Sequence, residues 1–222
     1  MKYLKGIVAG ALLLTVLGGG VYKRHTEKSM PISYSVDECA EKILRATEIE
    51  MREIPFSWGK SYNITVAGER VGTIYEKVFS WGNHFDFYAG TKENGKSLGH
   101  AEEHVFSFGH KSSIYDQGGN EVGKLDEIVL SFNPGHLIEI YNSQGRKLAV
   151  SDERALSWTH ETDLMDATGK NKIGGTVKSA FWDNYTINFP AELDRRLILG
   201  LVAMEDKLDD EKESKSSSKS DK

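Results

Sequence analysis

The stretch GHAEEHVFSFG, residues 99–109, contains two histidines and two glutamates within five positions. As H-x-x-E-H it matches the pattern of inverted zinc peptidases, in which His100 and His104 would bind zinc and Glu103 would be the general base. This chemistry requires a helix, because residues four apart then share a face at the distance that one ion needs. On a strand, positions 100 and 104 lie about 13 Å apart, which is too far for one ion.

The sequence around this motif repeats, and the repeat predicts strands. Five segments each open with an aliphatic and a small residue and close on a serine–aromatic step or a near copy; they begin at Val71, Leu98, Val122, Leu148 and Ile173. The polar turns between them are typical of β-hairpins. They place Asp116, Asn142 and Asp166 ahead of Gly119, Gly145 and Gly169. With the preceding segment SYNITVAG, the units predict about 11 or 12 strands in an all-β sandwich or barrel.

The repeat gives Glu103 an ordinary position on a strand. The equivalent positions in the other units hold polar residues, which we expect to face solvent: Glu76, Glu127, Glu153 and Lys178. The remaining histidines are spread over several units without ligand spacing: His84, His110, His136 and His160. We therefore predict a non-enzymatic protein with no catalytic, cofactor-binding or metal-binding residues. A zinc-dependent hydrolase that uses HAEEH is the less favoured alternative.

Aromatic residues recur at equivalent positions of the repeat and alternate with serines. They are Trp81, Phe108, Phe132 and Trp158. Because side chains two apart on a strand share a face, this pattern predicts that they fill the core. We interpret Trp58 and Trp182 in the same way.

Two further segments have helical patterns. Residues Val36–Ile54 have apolar side chains at helical spacing, with a capping box formed by Ser35 and Glu38, and predict an amphipathic helix that packs on its own domain. Residues Leu197–Met204 are apolar on every side, so a helix there must be enclosed by protein or lipid. It is too short to cross a bilayer, whereas a closed sheet of about twelve strands can enclose one helix.

The two ends of the chain differ from the middle. The uncharged segment Ile7–Tyr22 between lysines predicts an uncleaved membrane anchor, with a cleaved signal peptide as the alternative. The numbers of basic residues on the two sides of this segment are nearly equal, so the positive-inside rule alone does not decide its orientation. A basic stretch directly at the N-terminus, however, is the feature that the secretion machinery recognises. We thus predict a single-pass protein of a bacterial cell membrane whose domain is extracytoplasmic, or a secreted protein if the signal is cleaved. Residues Asp209–Lys222 contain no apolar side chain and predict a solvated, disordered tail.

Composition excludes two classes of function. The formal net charge of -5 argues against a general nucleic-acid binder, which needs a basic face. The single cysteine, Cys39, excludes an internal disulfide framework and any multi-cysteine zinc site.

The repeated IYD-type hairpins, followed by the terminal segment DRRLILGLVAMED, resemble the tubby C-terminal-like superfamily. The similarity is greatest to its LURP-one-related branch, and the phospholipid scramblases are more distant relatives. The resemblance covers about Phe56–Asp206 and implies a twelve-stranded barrel around a buried C-terminal helix. It also implies a non-enzymatic role associated with membrane lipids. Tubby proteins hold phosphoinositide head groups in a basic pocket, whereas acidic residues outnumber basic ones between Phe56 and Pro190 here.

Together these patterns predict four regions: a membrane anchor or signal at 1–28, a linker and amphipathic helix at 29–55, a tubby-like barrel with its central helix at 56–208, and a polar tail at 209–222. The predicted function is a membrane-anchored binding module for a protein, envelope or lipid partner. A scramblase-like or phospholipid-binding protein is the alternative.

Overall fold

A computed structural model describes residues 32–55, 57, 59–129, 135–154, 160–179 and 184–220, without the side chains of 213 and 215–220. The chain divides into two units, Met1–Ser33 and Tyr34–Lys222, and the elements below all belong to the second. The predicted anchor Ile7–Tyr22 lies outside the described residues. Within the described ranges, no helix has both the length and the apolar character needed to span a bilayer.

The second unit is a closed antiparallel barrel of twelve strands with two helices. In chain order the described elements are α1 (Val36–Arg45), β1 (Glu48–Glu53), β2 (Ser61–Val66), β3 (Glu69–Glu76), β4 (His84–Ala89), β5 (Lys96–Glu103), β6 (Lys111–Asp116), β7 (Glu121–Glu127), β8 (Leu137–Asn142), β9 (Lys147–Glu153), β10 (Glu161–Asp166), β11 (Lys172–Lys178), β12 (Asn184–Asn188) and α2 (Arg195–Ser220). Each strand pairs with its neighbours in sequence. The barrel closes where β1 pairs with β12 on one side and with β2 on the other. The predicted mainly β barrel is thus confirmed.

The hairpin turns lie together at one end of the barrel, which we call the turn end. The Asp116 carboxylate accepts hydrogen bonds from the backbone N–H groups of Gly118 and Asn120, at 2.8 and 2.9 Å. Asn142 and Asp166 do the same in their turns. The predicted turn chemistry is therefore present in three successive hairpins.

The small residue that opens each unit allows two strands to approach closely. A Cβ atom added to Gly123 would lie 2.0 Å from the carbonyl oxygen of Tyr141 on the neighbouring strand. No real side chain tolerates that distance. Glycine at this position therefore preserves the pairing of β7 with β8.

Helix α2 runs through the barrel from the turn end. The side chains of Leu197, Leu199 and Val202 are at most 1% exposed. Strands on opposite sides contact the helix: a Cβ at Gly200 would meet Ile114 of β6 at 2.6 Å, while Tyr185 of β12 bonds to Asp206. An apolar helix of this kind is stable only when it is surrounded, and the barrel surrounds it. The predicted enclosure of Leu197–Met204 is confirmed.

Helix α1 is shorter than predicted. The capping box of Ser35 and Glu38 is present, but the helix ends at Arg45 instead of continuing to Ile54. Residues Glu48–Glu53 form strand β1, with Ile49 and Met51 buried and the residues between them exposed. This alternation has the period of a strand. The barrel consequently begins at Glu48, and the predicted boundary at residue 56 is wrong.

The C-terminal segment also differs from the prediction. Helix α2 continues to Ser220, so residues 209–220 belong to a helix and not to a disordered tail. The side chain of Asp209 is only 12% exposed. Lys212 reaches Glu153 of β9 at 2.7 Å. The apolar part of the helix is followed by polar turns, and these contacts hold those turns against the strand ends.

The enclosure of α2 predicts a large difference between two leucines. Leu199→Ala leaves a cavity between the helix and the strands, so we expect it to lower the free energy of unfolding by about 2–5 kcal/mol. Leu44→Ala is the control, because Leu44 lies on α1 and is 42% exposed; we expect a change within about 0.5 kcal/mol. Chemical unfolding of the detergent-solubilised chain measures both. Equal effects would place α2 outside the barrel.

Candidate functional site at the loop end of the barrel

The end opposite the hairpin turns carries the longer loops that join one repeat unit to the next, and we call it the loop end. Two of these loops, 77–83 and 104–110, are described throughout. Their most exposed large apolar side chains are Phe79, Trp81, Phe106 and Phe108, at 93%, 85%, 97% and 74% exposure. We call these four the tip residues. Aromatic side chains so fully in water are unusual for a soluble surface and indicate an interaction site.

The tip residues overturn the predicted core role of the aromatic repeat. Trp81 and Phe108 lie in solvent because strands β3 and β5 end at Glu76 and Glu103, before the serine–aromatic step. The period-2 argument therefore does not apply to them. Trp58, Phe132, Trp158 and Trp182 lie outside the described residues.

A serine at the middle of each described loop fixes its shape. The hydroxyl of Ser80 lies 2.9 Å from the carbonyl oxygen of Lys77 and 2.7 Å from that of Gly82. Ser107 is placed in the same way in the next loop, at 2.8 and 2.7 Å from its two carbonyls. Each hydroxyl thus holds the two ends of its loop together. The aromatic residues on either side of the serine are left at the tip.

Neighbouring loops also pack on one another. A Cβ atom added at Gly82 would lie 2.9 Å from a methyl carbon of Val105 in the following loop, and one at Gly109 would lie 2.3 Å from a methyl carbon of Val129. Both glycines have a positive φ, at +81° and +79°. The loops therefore form one connected surface, and not a set of independent arms.

Below the loops, glutamates at the ends of four strands form a polar layer. Their side chains are 11–15% exposed: Glu76, Glu103, Glu127 and Glu153. Each accepts a hydrogen bond from the backbone N–H of the residue directly before a strand, such as His110 N to Glu127 at 3.1 Å. The prediction that these glutamates face solvent is wrong. They satisfy backbone groups that a buried loop end would otherwise leave without partners.

Histidines link these glutamates around the barrel. His110 Nδ1 lies 2.6 Å from Glu103, and His136 Nδ1 lies 2.8 Å from Glu127. His160 has the equivalent position in the next unit, with Nδ1 3.7 Å from Glu153. The hydrogen bond to Glu103 raises the pKa of His110 despite partial burial. Burial alone would raise the pKa of Glu103, but the hydrogen bonds from His110 and Asn83 lower it overall.

A buried charge fixes α2 at the level of this layer. Asp206 is 1% exposed and bonds to Lys60, Lys178, Tyr62 and Tyr185. Burial raises the pKa of Asp206, but the two lysines more than offset this effect and hold it well below its ordinary value. Burial and the negative charge of Asp206 raise the pKa of the Tyr185 phenol. Asp206 is therefore a structural anion and not a proton donor or acceptor.

The residues of HAEEH do not meet. His100 stacks between His84 and Tyr115, with ring centroids 4.9 and 4.8 Å apart. His104 bonds to Ser113 at 2.9 Å. The group of His, Cys, Asp and Glu side chains that comes within 4.8 Å in the described part of the chain is His136, Glu153 and Asp209, which shares no residue with the motif.

The sequence contains a signal for this site that the spacing of the histidines alone does not reveal. In each of three units a polar strand end is followed by an apolar loop and then by histidine before the next strand: Glu103 with His110, Glu127 with His136, and Glu153 with His160. These glutamates and histidines occupy equivalent positions of the repeat, although the number of residues between the two members is not the same in all three units.

The pairing of His110 with Glu103 predicts a pH-dependent contribution to stability. A raised histidine pKa contributes fully below the unfolded value of 6.5 and is lost as pH rises through the folded value. A lowered glutamate pKa contributes above 4.5 and is lost as pH falls through its folded value. We expect His110→Gln to cost about 1–2 kcal/mol near pH 5.5 and less than half of that near pH 8.5.

Chemical unfolding at both pH values measures this difference. Ser107→Ala is the control, because the Ser107 hydroxyl pairs with two neutral carbonyl oxygens and does not titrate. Its cost should be equal at the two pH values. A His110→Gln cost that is constant with pH, or that grows toward pH 8.5, would contradict the assignment.

Comparison of the sequence with protein-family models and with curated proteins gives no match.

Proposed function

We propose that this chain is a non-catalytic binding module that docks the loop end of its barrel on a lipid bilayer. The observation that carries the proposal is the exposure of four aromatic side chains on two adjacent loops: Phe79, Trp81, Phe106 and Phe108, at 93%, 85%, 97% and 74%. Removing one such side chain from water contributes about 1.5–3 kcal/mol, so the four together offer about 6–12 kcal/mol.

The arrangement of the tips favours a bilayer over a pocket in a partner protein. The tip residues lie on separate loops that pack side by side around a barrel end, and each pair flanks a serine. A flat, laterally fluid interface accommodates such an array without a matching cavity for each ring. Tryptophan in particular is enriched at membrane–water interfaces.

The serine–aromatic step also recurs in the sequence outside the two described loops. All four tryptophans of the chain, Trp58, Trp81, Trp158 and Trp182, belong to the serine–aromatic or equivalent positions between units. The predicted anchor Ile7–Tyr22 would keep the barrel near a bilayer. Docking would then be an intramolecular step, and it would not have to offset the entropy lost when a free protein binds a membrane.

The charges near the loops set the depth and the lipid preference. Helix α2 leaves the barrel among these loops, with Asp209 near His160 at 3.9 Å and Glu211 near His110 at 3.5 Å. This polar helix end must remain in the aqueous or head-group layer, so the tips enter the interface and not the hydrocarbon centre. The nearby carboxylates do not favour anionic head groups. We therefore propose apolar docking without the basic head-group pocket that the tubby resemblance implies.

The side of the membrane on which the domain lies rests on the sequence prediction alone. We propose a single-pass protein of a bacterial cell membrane with the barrel extracytoplasmic. The contacts of His100, His104 and Glu103 with Tyr115, Ser113 and His110 support structural roles for the HAEEH residues and not catalysis.

Quenching of tryptophan emission by brominated lipids tests the docking. The full chain, with Trp58, Trp158 and Trp182 changed to Phe, retains Trp81 as its sole tryptophan. After reconstitution into phosphatidylcholine bilayers, we expect brominated acyl chains to reduce its emission by at least half. Adding anionic lipid should not increase the effect.

The control places the sole tryptophan at the turn end. Gln144→Trp, in a chain whose four native tryptophans are Phe, introduces an indole at an exposed hairpin turn. Its emission should not respond to bromine. If Trp81 is quenched no more than this control, the loop end does not contact the bilayer. If quenching requires anionic lipid, head-group binding replaces apolar docking.

A further inference from the structure

A second site lies in the polar layer, where helix α2 passes the ends of β8, β9 and β10. A cavity there is lined by His136, Glu153, His160, Tyr185, Glu205 and Asp209. The side chains of His136, Glu153 and Asp209 are 14%, 14% and 12% exposed, so three ionisable groups share a mostly buried space. They come from a loop, a strand and the central helix.

The imidazole of His136 is oriented as a metal ligand. Its Nδ1 faces Glu127 Oε1 at 2.8 Å, which places the proton on Nδ1 and leaves a lone pair on Nε2. The Nε2 atom is buried and has no hydrogen-bond partner among the residues that the structure describes. A carboxylate behind a histidine is the usual arrangement at metal sites, because it fixes the tautomer and the direction of the ring.

The two carboxylates each have an oxygen available on the cavity side. Glu153 uses Oε2 for the His136 backbone N–H and for Lys212, at 2.8 and 2.7 Å, while Oε1 faces His160 at 3.7 Å. Asp209 Oδ2 lies 3.6 Å from Lys178 and 3.9 Å from His160. Neither carboxylate has to exchange a short ion pair to receive a cation.

The cavity also brings carboxyl groups together. Glu153, Glu205 and Asp209 all line it, while Lys178, the lysine of its lining, lies 2.9 Å from Asp206 and 3.6 Å from Asp209. A bound cation would add positive charge among these carboxyl groups.

We propose that His136 Nε2, Glu153 and Asp209 bind a divalent transition-metal ion, with the imidazole of His160 as the fourth ligand. Two imidazoles with two carboxylates suit Zn²⁺, whereas Ca²⁺ and Mg²⁺ prefer oxygen ligands alone. The ligand atoms of the first three residues lie within 4.8 Å of one another. A tetrahedral zinc ion holds its ligand atoms about 3.4 Å apart, so the site would contract on binding.

The neighbouring unit provides an internal comparison. His110 pairs with Glu103 as His136 pairs with Glu127, but its Nε2 lies 3.5 Å from Glu211. The same histidine position is thus paired with carboxylates on both nitrogens in one unit and has an open nitrogen in the next. A metal bound by His136, Glu153 and Asp209 would link α2 to the strand ends. It is independent of the docking of the loop tips.

Zinc titration of the untagged full chain in detergent, after removal of metals by chelation, tests this site. By calorimetry we expect one Zn²⁺ per chain with a dissociation constant in the micromolar range or below. His136→Gln should weaken binding at least tenfold, and Glu127→Gln should weaken it about 10- to 100-fold by releasing the ring orientation. His110→Gln, the matched control, should bind zinc as the unaltered chain does.

Two readouts distinguish loss of the site from loss of the fold. Circular dichroism checks that each variant is folded, and Asp209→Asn replaces His136→Gln if the latter is not. Co²⁺ bound to the unaltered chain should show the visible absorption of a four-coordinate site. The proposal is overturned if the folded, unaltered chain shows no saturable zinc binding, or if His136→Gln and Asp209→Asn bind as tightly as it does.

Discussion

The buried carboxylate of Asp206 is the interaction on which the rest of the structure depends. It lies on the central helix, and its partners Tyr62 and Tyr185 come from β2 and β12, the strands on either side of the closing strand β1. Lys178 reaches it from β11 and Lys60 from just before β2. One charge therefore joins the helix to both sides of the seam at which the barrel closes. Removing one side of such a buried pair typically costs 3–5 kcal/mol.

This constraint also determines what the loop end presents. Because Asp206 fixes the position of α2 along the barrel axis, the next turns of the helix bring Asp209 and Lys212 to the level of the glutamate layer. The glutamates in turn hold the backbone at the loop ends. In the described loops 77–83 and 104–110, the aromatic tips lie exposed above this glutamate layer, where they are available to an external surface.

Much of this architecture follows from local sequence patterns. The turn residues Asp116 and Gly119 predict a hairpin because their chemistry is local, and the apolar segment Leu197–Met204 predicts an enclosed helix because no other environment suits it. The sequence pattern does not separate strand β1 from the first helix, because the helical spacing of Val36–Arg45 continues directly into it. Only the alternation of Ile49 and Met51 distinguishes the two elements.

The functional residues were harder to predict, and the reason is physical. Periodicity shows which face a side chain takes on a strand but not where the strand ends. It therefore predicts a core position for Trp81, although β3 ends at Glu76 and Trp81 is exposed. The environment of His136 depends on Glu127 and on Asp209 of the distant helix, which meet it only after the barrel closes. A single unit of the repeat contains none of that information.

The central claim is that the loop end meets a lipid bilayer. The most direct measurement replaces Phe106 with a photo-cross-linking amino acid in the cells that make the protein, and identifies the adducts by mass spectrometry. The same substitution at Gln144, in the turn end, is the reference. Docking on the membrane predicts lipid adducts at position 106 in clear excess over position 144. Adducts to a polypeptide alone at position 106, or equal lipid adducts at both positions, would contradict it.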